Sequence, residues 1–111
     1  MELEITSDSQ GDVCTVVIKG ELDVYSAPRL KEELVARLDS GCNQLVLNME
    51  GVGFVDSSGL GVLVSALRRA RERDGGVRII CTKENILKIF RITGLDKVFP
   101  IFSDGEEAQR F

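Results

Sequence analysis

Histidine is missing from this chain of 111 residues. A serine nucleophile normally needs a positioned base, so a Ser-His-Asp arrangement cannot form within the chain. Phosphate-binding loops are missing too, because neither a GxxxxGKS or GxxxxGKT pattern nor a complete GxGxxG pattern occurs. Paired carboxylates and His-Cys clusters of the common hydrolases are also absent. These absences argue against a hydrolase or a nucleotide-binding enzyme, and we expect no catalytic residues, metal or cofactor in the chain itself.

Cysteine is scarce and shows no recognisable spacing. Cys14, Cys42 and Cys81 make an odd number, and no CxxC pair occurs among them. Two of them lie inside apolar runs that resemble strands. The pattern therefore predicts buried or incidental thiols rather than a metal site or a redox pair.

An excess of basic residues and a long apolar run are both lacking. The formal net charge is -4, and charges of both signs are scattered rather than gathered into the basic face that nucleic acid requires. No apolar run approaches the ~20 residues of a membrane span, and the first residues lack the features of a signal peptide. We expect one cytoplasmic domain, residues 1–111, without a nucleic-acid or membrane partner.

Strand-like and helix-like segments alternate along the chain after an opening hairpin. The predicted strands cover residues 3–6, 13–20, 45–47, 77–81 and 98–102, with a polar turn at 8–12. A glycine-rich connection at 51–53 is predicted after the third strand. Alternation of this kind indicates one α/β domain with a mixed sheet whose buried strands are covered by helices.

Helical spacing and end signals predict the helices. Ser26 and Pro28 are start signals for a first helix, which ends at Gly41. A second helix carries apolar residues at i, i+3, i+4 and i+7 from Leu60, and its arginines between residues 68 and 73 are interpreted as a solvated helix end. A third helix ends near Gly94. A short last helix follows the capping-box pattern of Ser103 and Glu106.

The most informative segment is Asp56-Ser57-Ser58-Gly59-Leu60-Gly61, which opens the second helix. The amino end of a helix has backbone N–H groups without internal partners and a partial positive charge, so it receives anions well. A phosphate on Ser57 would be accommodated there. The alternative is that Asp56, Ser57 or Ser58 only caps the helix and that the glycines permit close packing. The two interpretations are compatible.

Three segments together resemble a known family. They are Gly20-Glu21-Leu22-Asp23-Val24-Tyr25-Ser26-Ala27-Pro28, then Asp56-Ser57-Ser58-Gly59-Leu60-Gly61, then Phe90-Arg91-Ile92-Thr93-Gly94-Leu95. In this order they resemble the landmarks of STAS domains, specifically the bacterial anti-sigma factor antagonists. The resemblance implies a single STAS-like α/β domain with a mixed sheet of four to five strands and about four helices packed mainly on one face.

The resemblance also implies a mechanism of partner switching. In that family the unphosphorylated antagonist binds an anti-sigma factor that is also a serine kinase with a GHKL-type ATP site, and a sigma factor is thereby released. The kinase phosphorylates the serine after the motif aspartate, which is Ser57 here, and binding is lost. A PP2C-like serine phosphatase reverses the modification. ATP and Mg²⁺ would belong to the kinase.

The resemblance implies that Asp23, Asp56, Ser57 and Ser58 line the surface that binds the partner. The full set of expected partner-binding residues adds Gly59 of the same motif and Val62, which is chosen for its position on the helix. Simpler structural roles compete with this assignment: a turn aspartate for Asp23, a helix cap for Asp56 and Ser58, and a core position for Val62. Val62 is expected off the main apolar stripe of the helix, on a face that a partner could use.

A second function remains open from the sequence. A STAS module can serve as a scaffold or sensor in a larger signalling assembly, or in one linked to a transporter. The absence of histidine and phosphate loops makes a third possibility, an enzyme, the weakest.

Overall fold

The computed structural model describes residues 3–110, and their side chains as far as residue 108. Five strands and four α-helices are formed in this part of the chain. The strands are β1 (Glu4–Gln10), β2 (Val13–Leu22), β3 (Gln44–Val55), β4 (Gly76–Ile80) and β5 (Ile101–Phe102). The helices are α1 (Ala27–Asp39), α2 (Ser57–Arg71), α3 (Glu84–Thr93) and α4 (Gly105–Arg110). None of these helices is both long and apolar enough to cross a bilayer.

The strands form one mixed sheet in the order β1-β2-β3-β4-β5. β1 pairs with β2 antiparallel, and every other neighbouring pair is parallel. In the centre, Leu47 of β3 lies opposite Val16 of β2 and Ile79 of β4. The predicted mixed sheet is therefore confirmed, and the parallel pairs bring the carboxyl ends of β2 and β3 to the same edge.

Most of the core lies on one face of the sheet. Buried side chains from α1, α2 and α3 pack there against the strands, and Leu34, Leu63 and Phe90 represent the three helices. A smaller cluster under α4 occupies the other face. It consists of Val46, Ile80, Phe102 and Ala108. The prediction that the helices pack mainly on one face is thus confirmed.

The opening hairpin is longer than predicted. Residues 8–10, expected in the turn, belong to β1, where Asp8 pairs with Thr15 and Gln10 with Val13. Gly11 and Asp12 alone make the turn, and Gly11 adopts φ 63°, a value that glycine reaches without strain. Polar side chains are tolerated in β1 because it is an edge strand whose residues are almost all exposed.

The glycine-rich segment 51–53 is a strand and not a connection, which corrects the prediction. β3 continues through it as far as Val55, with register shifts opposite it in β2. Gly51 lies against Lys19, and a Cβ at Gly51 would stand 2.7 Å from Lys19 Cγ. Glycine here allows two strands to approach closely. As a result Asp56 directly follows β3 and lies at the start of α2.

Cys14 and Cys42 are buried, as predicted, but the prediction that they are thiols is wrong. Cys14 and Cys42 form a disulfide with their Cα atoms 5.7 Å apart, within the usual range. Cys14 lies near the start of β2, and Cys42 lies just before β3, the neighbouring parallel strand. Spacing along the chain could not reveal a pairing created by strand order. Cys81 is free and buried, as predicted.

The last two elements also differ in detail. A short 3-10 turn at Leu95–Lys97 follows the left-handed Gly94, and the final strand is reduced to Ile101–Phe102. The capping box of Ser103 and Glu106 does not form. Instead, Asp104 Oδ1 accepts a hydrogen bond of 2.7 Å from the N–H of Glu107, so Asp104 caps the helix.

Candidate functional site

The candidate site lies where β2 and β3 end side by side. Leu22 and Val55 are paired at the ends of these parallel strands, and each is followed by an aspartate, Asp23 or Asp56. The N–H of Asp56 also donates to the carbonyl of Leu22 at 3.1 Å. The loop that leads into α1 and the first turn of α2 are therefore neighbours.

Asp56 joins these two segments through both of its carboxylate oxygens. Oδ1 accepts hydrogen bonds from the N–H groups of Ser58 at 2.9 Å and Gly59 at 3.1 Å, which caps α2. Oδ2 accepts a bond of 3.1 Å from the N–H of Val24, thirty-two residues earlier in the chain. One side chain thus fixes both the start of the helix and the loop beside it.

Asp23 shapes its own loop. Its Oδ1 accepts hydrogen bonds from the N–H groups of Tyr25 at 3.0 Å and Ser26 at 3.1 Å. The hydroxyl of Ser26 donates to the carbonyl of Glu21 at 2.7 Å and accepts from the N–H of Asp23 at 3.0 Å, instead of capping α1. The loop is held by an internal network, and the turn role considered for Asp23 is what its hydrogen bonds show.

The same network affects the ionisation of Asp23. The pKa of its carboxyl is lowered, chiefly by the hydrogen bond from the N–H of Ser26, while desolvation acts in the opposite direction. Asp23 therefore carries its negative charge at neutral pH. With Asp56 beside it, the edge of the site is anionic.

Ser57 is the first residue of α2 and is exposed. Its hydroxyl makes no hydrogen bond to any residue in the described part of the chain, so the oxygen faces solvent. Ser58 is half-buried, and its N–H is engaged by Asp56. The structure therefore distinguishes the two adjacent serines: Ser57 is the more accessible to another protein.

The hydrogen-bond pattern corrects one expectation about an anion at this position. The amino end of the helix was expected to have unpaired N–H groups that could receive a phosphate, but those of Ser58 and Gly59 already donate to Asp56. A phosphate on Ser57 would stand beside a carboxylate rather than in an empty helix end. These two N–H groups are therefore not free to bind a phosphate on Ser57.

The remaining predicted residues of the motif are packed inwards. Gly59 is buried against β2, and a Cβ there would stand 2.5 Å from Leu22 Cγ and 3.0 Å from the Leu22 carbonyl oxygen. Val62 is only 9% exposed and belongs to the main core. The expectation that Val62 contributes to an open face of α2 is therefore wrong, since the helix turns it towards the sheet.

Exposed apolar side chains near the site were missed in the sequence. Tyr25 is 90% exposed, and Val24 and Phe54 are also largely exposed. Val24 and Tyr25 belong to the loop that Asp56 holds, and Phe54 lies two residues before Asp56. Large apolar groups are usually withdrawn from water, so a cluster beside an accessible serine indicates a contact surface for another protein. The signal in the sequence was two apolar residues, Val24 and Tyr25, between the polar Asp23 and Ser26 of a turn.

The described residues, 3–110, contain no cluster of three or more Cys, Asp or Glu side chains that could hold a metal ion. The site offers an exposed hydroxyl, two carboxylates and apolar side chains. Such a set suits recognition by another protein.

Comparison with known proteins gives a consistent picture. The family model for the STAS domain matches residues 4–108. The anti-sigma-B factor antagonist of Staphylococcus aureus strain NCTC 8325 / PS 47 is 33% identical over 109 residues, which is 98% of this chain and 100% of that protein. The correspondence is therefore end to end.

Two solved structures share the fold. An anti-sigma factor antagonist from Mycobacterium paratuberculosis aligns with a TM-score of 0.86 and 24% identity, covering 98% of this chain and 92% of that one. The phosphorylated form of the Bacillus cell fate determinant SpoIIAA aligns with a TM-score of 0.75 and 18% identity, covering 96% and 98%. With the sequence relationship above, these findings show that the chain belongs to the STAS domain family of anti-sigma factor antagonists.

Proposed function

We propose that this protein is a cytoplasmic anti-sigma factor antagonist that works by partner switching. Its unphosphorylated form binds an anti-sigma factor that is also a GHKL-type serine kinase, and a sigma factor is released for transcription. Phosphorylation of Ser57 abolishes this binding, and a PP2C-like phosphatase restores it. The protein itself acts as a binding partner and not as an enzyme.

The exposed hydroxyl of Ser57 on a rigid support is the observation that carries the proposal. Asp56 fixes the first turn of α2 and, through the N–H of Val24, the neighbouring loop. A kinase would meet a preformed surface, so little ordering would oppose binding. In this surface Asp23 and Asp56 supply negative charge, and Ser57 supplies the group that is modified.

The roles of the other assigned residues follow from their packing. Ser58 is half-buried and contributes mainly its N–H to the cap, while Gly59 lets α2 approach Leu22. Val62 supports the helix from the core. We propose that Tyr25, which is exposed beside the site, makes direct contact with the anti-sigma factor.

The electrostatic repulsion that a phosphate on Ser57 would add is large enough to release the partner. Phosphorylation adds about 1.5 to 2 negative charges, and a pair of unit charges ~5 Å apart at an effective dielectric of about 20 interacts by roughly 3 kcal/mol. The repulsion between two such charges and one carboxylate of the partner approaches roughly 5.5 kcal/mol. That is about the free energy needed to change a 99:1 ratio of bound to free protein into 1:99. Salt reduces this value. Because the N–H groups of Ser58 and Gly59 are already occupied, the chain offers the phosphate little compensation.

The relatives support the same proposal. The Staphylococcus aureus relative is an anti-sigma-B factor antagonist and matches this chain end to end. The Bacillus protein with the same fold has been solved in a phosphorylated form. Ser57 is the exposed serine that directly follows the helix-capping aspartate.

The test is to incubate the protein with ATP and each GHKL-type kinase of its genome, and to map the phosphate by mass spectrometry. Binding to the same kinase is then measured for the wild type, Ser57→Ala and Ser57→Asp. We expect the phosphate on Ser57, and Ser57→Asp to weaken binding by about a hundredfold or more, which corresponds to about 2.7 kcal/mol. Ser57→Ala should bind within a few-fold of the wild type.

Ser7→Asp is the matched control, because Ser7 is exposed on the edge strand β1 and gains the same charge. It should bind like the wild type. Phosphate found only on Ser58, or equal binding by all four proteins, would contradict the proposal. The second outcome would favour the scaffold or sensor function instead.

A further inference from the structure

An apolar groove lies along the second half of α2, away from Ser57. Val64 and Leu67 of α2 and Val98, which follows the 3-10 turn, form its apolar wall, and the groove has a volume of about 460 Å³. Arg68, Arg71 and Glu72 complete the lining. Val98 is 37% exposed, so the groove is open to solvent.

The groove and Ser57 lie on the same side of α2. Ser57, Gly61, Val64, Arg68 and Arg71 are spaced by four, three, four and three residues, which places them along one side of the helix. Gly61 is exposed, and a Cβ built there would meet no atom within 4 Å. A protein lying over Ser57 can therefore follow α2 closely past Gly61. From Ser57 to Arg68 the helix rises about 16 Å, well within the width of an ordinary protein interface.

The charges on the rim indicate the nature of the occupant. Elsewhere in the described part of the chain, Arg37, Arg73 and Arg91 are paired with a carboxylate, whereas Arg29 and Arg78 donate to backbone carbonyls. Arg69, like the two arginines of the groove, forms no ion pair with a described residue. Arg68 and Arg71 form no such pair within residues 3–108, although both are exposed. Glu72 offsets one of the two charges, which leaves the rim with an excess of one positive charge. The rim is thus opposite in sign to the anionic edge formed by Asp23 and Asp56.

We propose that this groove binds an acidic segment with an apolar face, belonging to the same anti-sigma factor that contacts Ser57. The proposal rests on the proposed function. The apolar face of the segment packs on Val64, Leu67 and Val98, and its carboxylates meet Arg68 and Arg71. These arginines then contribute to recognition, whereas the sequence favoured a solvated helix end over a binding patch.

The groove and the serine have separate roles in this arrangement. At physiological salt the Debye length is ≈ 8 Å, so a charge at Ser57 is largely screened at Arg68. The groove therefore adds affinity and selects the partner, while Ser57 decides whether the complex persists. Changes in the groove should raise KM for phosphorylation and leave kcat unchanged, because they lie far from the reacting oxygen.

The experiment uses the full chain and the kinase identified by phosphate mapping. Arg68→Glu/Arg71→Glu should weaken binding by about tenfold at low salt, and the difference should shrink as salt is raised. Lys31→Glu is the control for a charge reversal at an exposed site on α1, and it should bind like the wild type. Arg68→Gln/Arg71→Gln should weaken binding less, by about threefold. If its Tm equals that of the wild type, this loss of affinity cannot be due to a folding defect.

The outcomes separate this inference from the proposed function. If the wild type binds and responds to Ser57→Asp, but the double reversal binds within twofold of it, the groove assignment is overturned and partner switching stands. Loss of self-association in the double reversal, seen by sedimentation, with unchanged kinase binding would assign the groove to a second copy and also overturn the inference. If the wild type binds no kinase, both proposals fail.

Discussion

The two ends of the parallel strands β2 and β3 are built in opposite ways. At the end where these strands start, the buried Cys14 and Cys42 are joined by a disulfide, and the N–H of Gln44 donates to the Asp12 carbonyl at 3.1 Å. At the end where they finish, an exposed serine and exposed apolar groups are held around one carboxylate, that of Asp56. The first end, called the closed end below, is buried and held by a covalent bond. The second, called the open end, is exposed to solvent and held by hydrogen bonds.

This difference separates stability from function. Under the proposed function the open end changes partners, so it must be accessible and cannot bury its apolar and charged groups. Its shape must nevertheless be fixed, because a disordered surface would lose affinity through ordering. The hydrogen bonds of Asp56 fix this surface without burying it. The core and, under oxidising conditions, the disulfide stabilise the rest of the fold. Changes at the two ends should therefore have different consequences.

The largest expected effect on stability is at the closed end. The disulfide spans 28 residues, and closing a loop of this length stabilises a fold by about 2–4 kcal/mol. Cys14→Ala/Cys42→Ala should lower the free energy of unfolding by about that amount and the Tm by about 10 °C or more. Denaturant unfolding with and without reductant measures this.

Reductant should destabilise the wild type and leave the double variant unchanged, which is the internal control. Phosphorylation of Ser57 at a temperature where both proteins are folded should be equal, because the disulfide lies at the other end of the strands. A wild type with the same stability in both conditions would show that no disulfide forms. Slower phosphorylation of the folded double variant would show that the two ends are coupled.

The next largest effect on stability is expected for a substitution of Gly59, and Gly61 of the same helix provides the comparison. Gly59→Ala would force a methyl group to within 2.5 Å of Leu22 Cγ, and overpacking of this kind costs about 1–3 kcal/mol. Gly61→Ala meets open space and should stabilise the protein by about 0.5–1 kcal/mol, because alanine favours the helix. Thermal unfolding of both variants checks the difference in sign.

Gly61→Ala is thus the control for Gly59→Ala, since both add one methyl group to the first two turns of α2. Equal effects would mean that helix propensity alone matters and that α2 does not depend on contact with Leu22. A stabilising Gly59→Ala would contradict the close packing directly.

The sequence predicted the core face of the sheet better than its ends. Helical spacing and strand alternation report burial, and burial decides where Leu34, Leu63 and Phe90 lie. The disulfide and the Asp56–Val24 bond join residues 28 and 32 positions apart, and neither follows from local spacing. Residue types that are common in turns led to wrong predictions of loops for another reason. Gly51, Gly53 and the polar residues at 8–10 are of types common in loops, yet a close strand pair accommodates the glycines and an edge strand accommodates the polar residues.

The candidate site was predictable in part. The motif located the aspartate and Ser57 at the start of α2, because caps have a local signature. It could not show that Asp56 already occupies the N–H groups expected to hold a phosphate, since occupancy depends on side-chain orientation. Nor could it show which way Val62 points. A one-position error in the helical phase exchanges a core residue for a surface residue.

The smallest expected effect on stability separates the two roles of Asp56. Asparagine caps helices about as well as aspartate, so Asp56→Asn should keep the bonds from Ser58 and Gly59 and cost at most about 1 kcal/mol. Its amide N–H₂ would then face the N–H of Val24, and two donors cannot bond. The loop should be released while α2 stays capped.

Hydrogen exchange at the Val24 amide measures that release, and it should become faster in Asp56→Asn while the amides of Ser58 and Gly59 stay protected. Asp104→Asn is the matched control, because Asp104 caps α4 through Glu107. If the loop is needed to present Ser57, Asp56→Asn should bind the kinase less tightly with its Tm almost unchanged, and Asp104→Asn should not. Unchanged exchange at Val24 would mean that the internal network of Asp23 and Ser26 holds the loop without Asp56, so that the open end, like the closed one, is secured by more than one constraint.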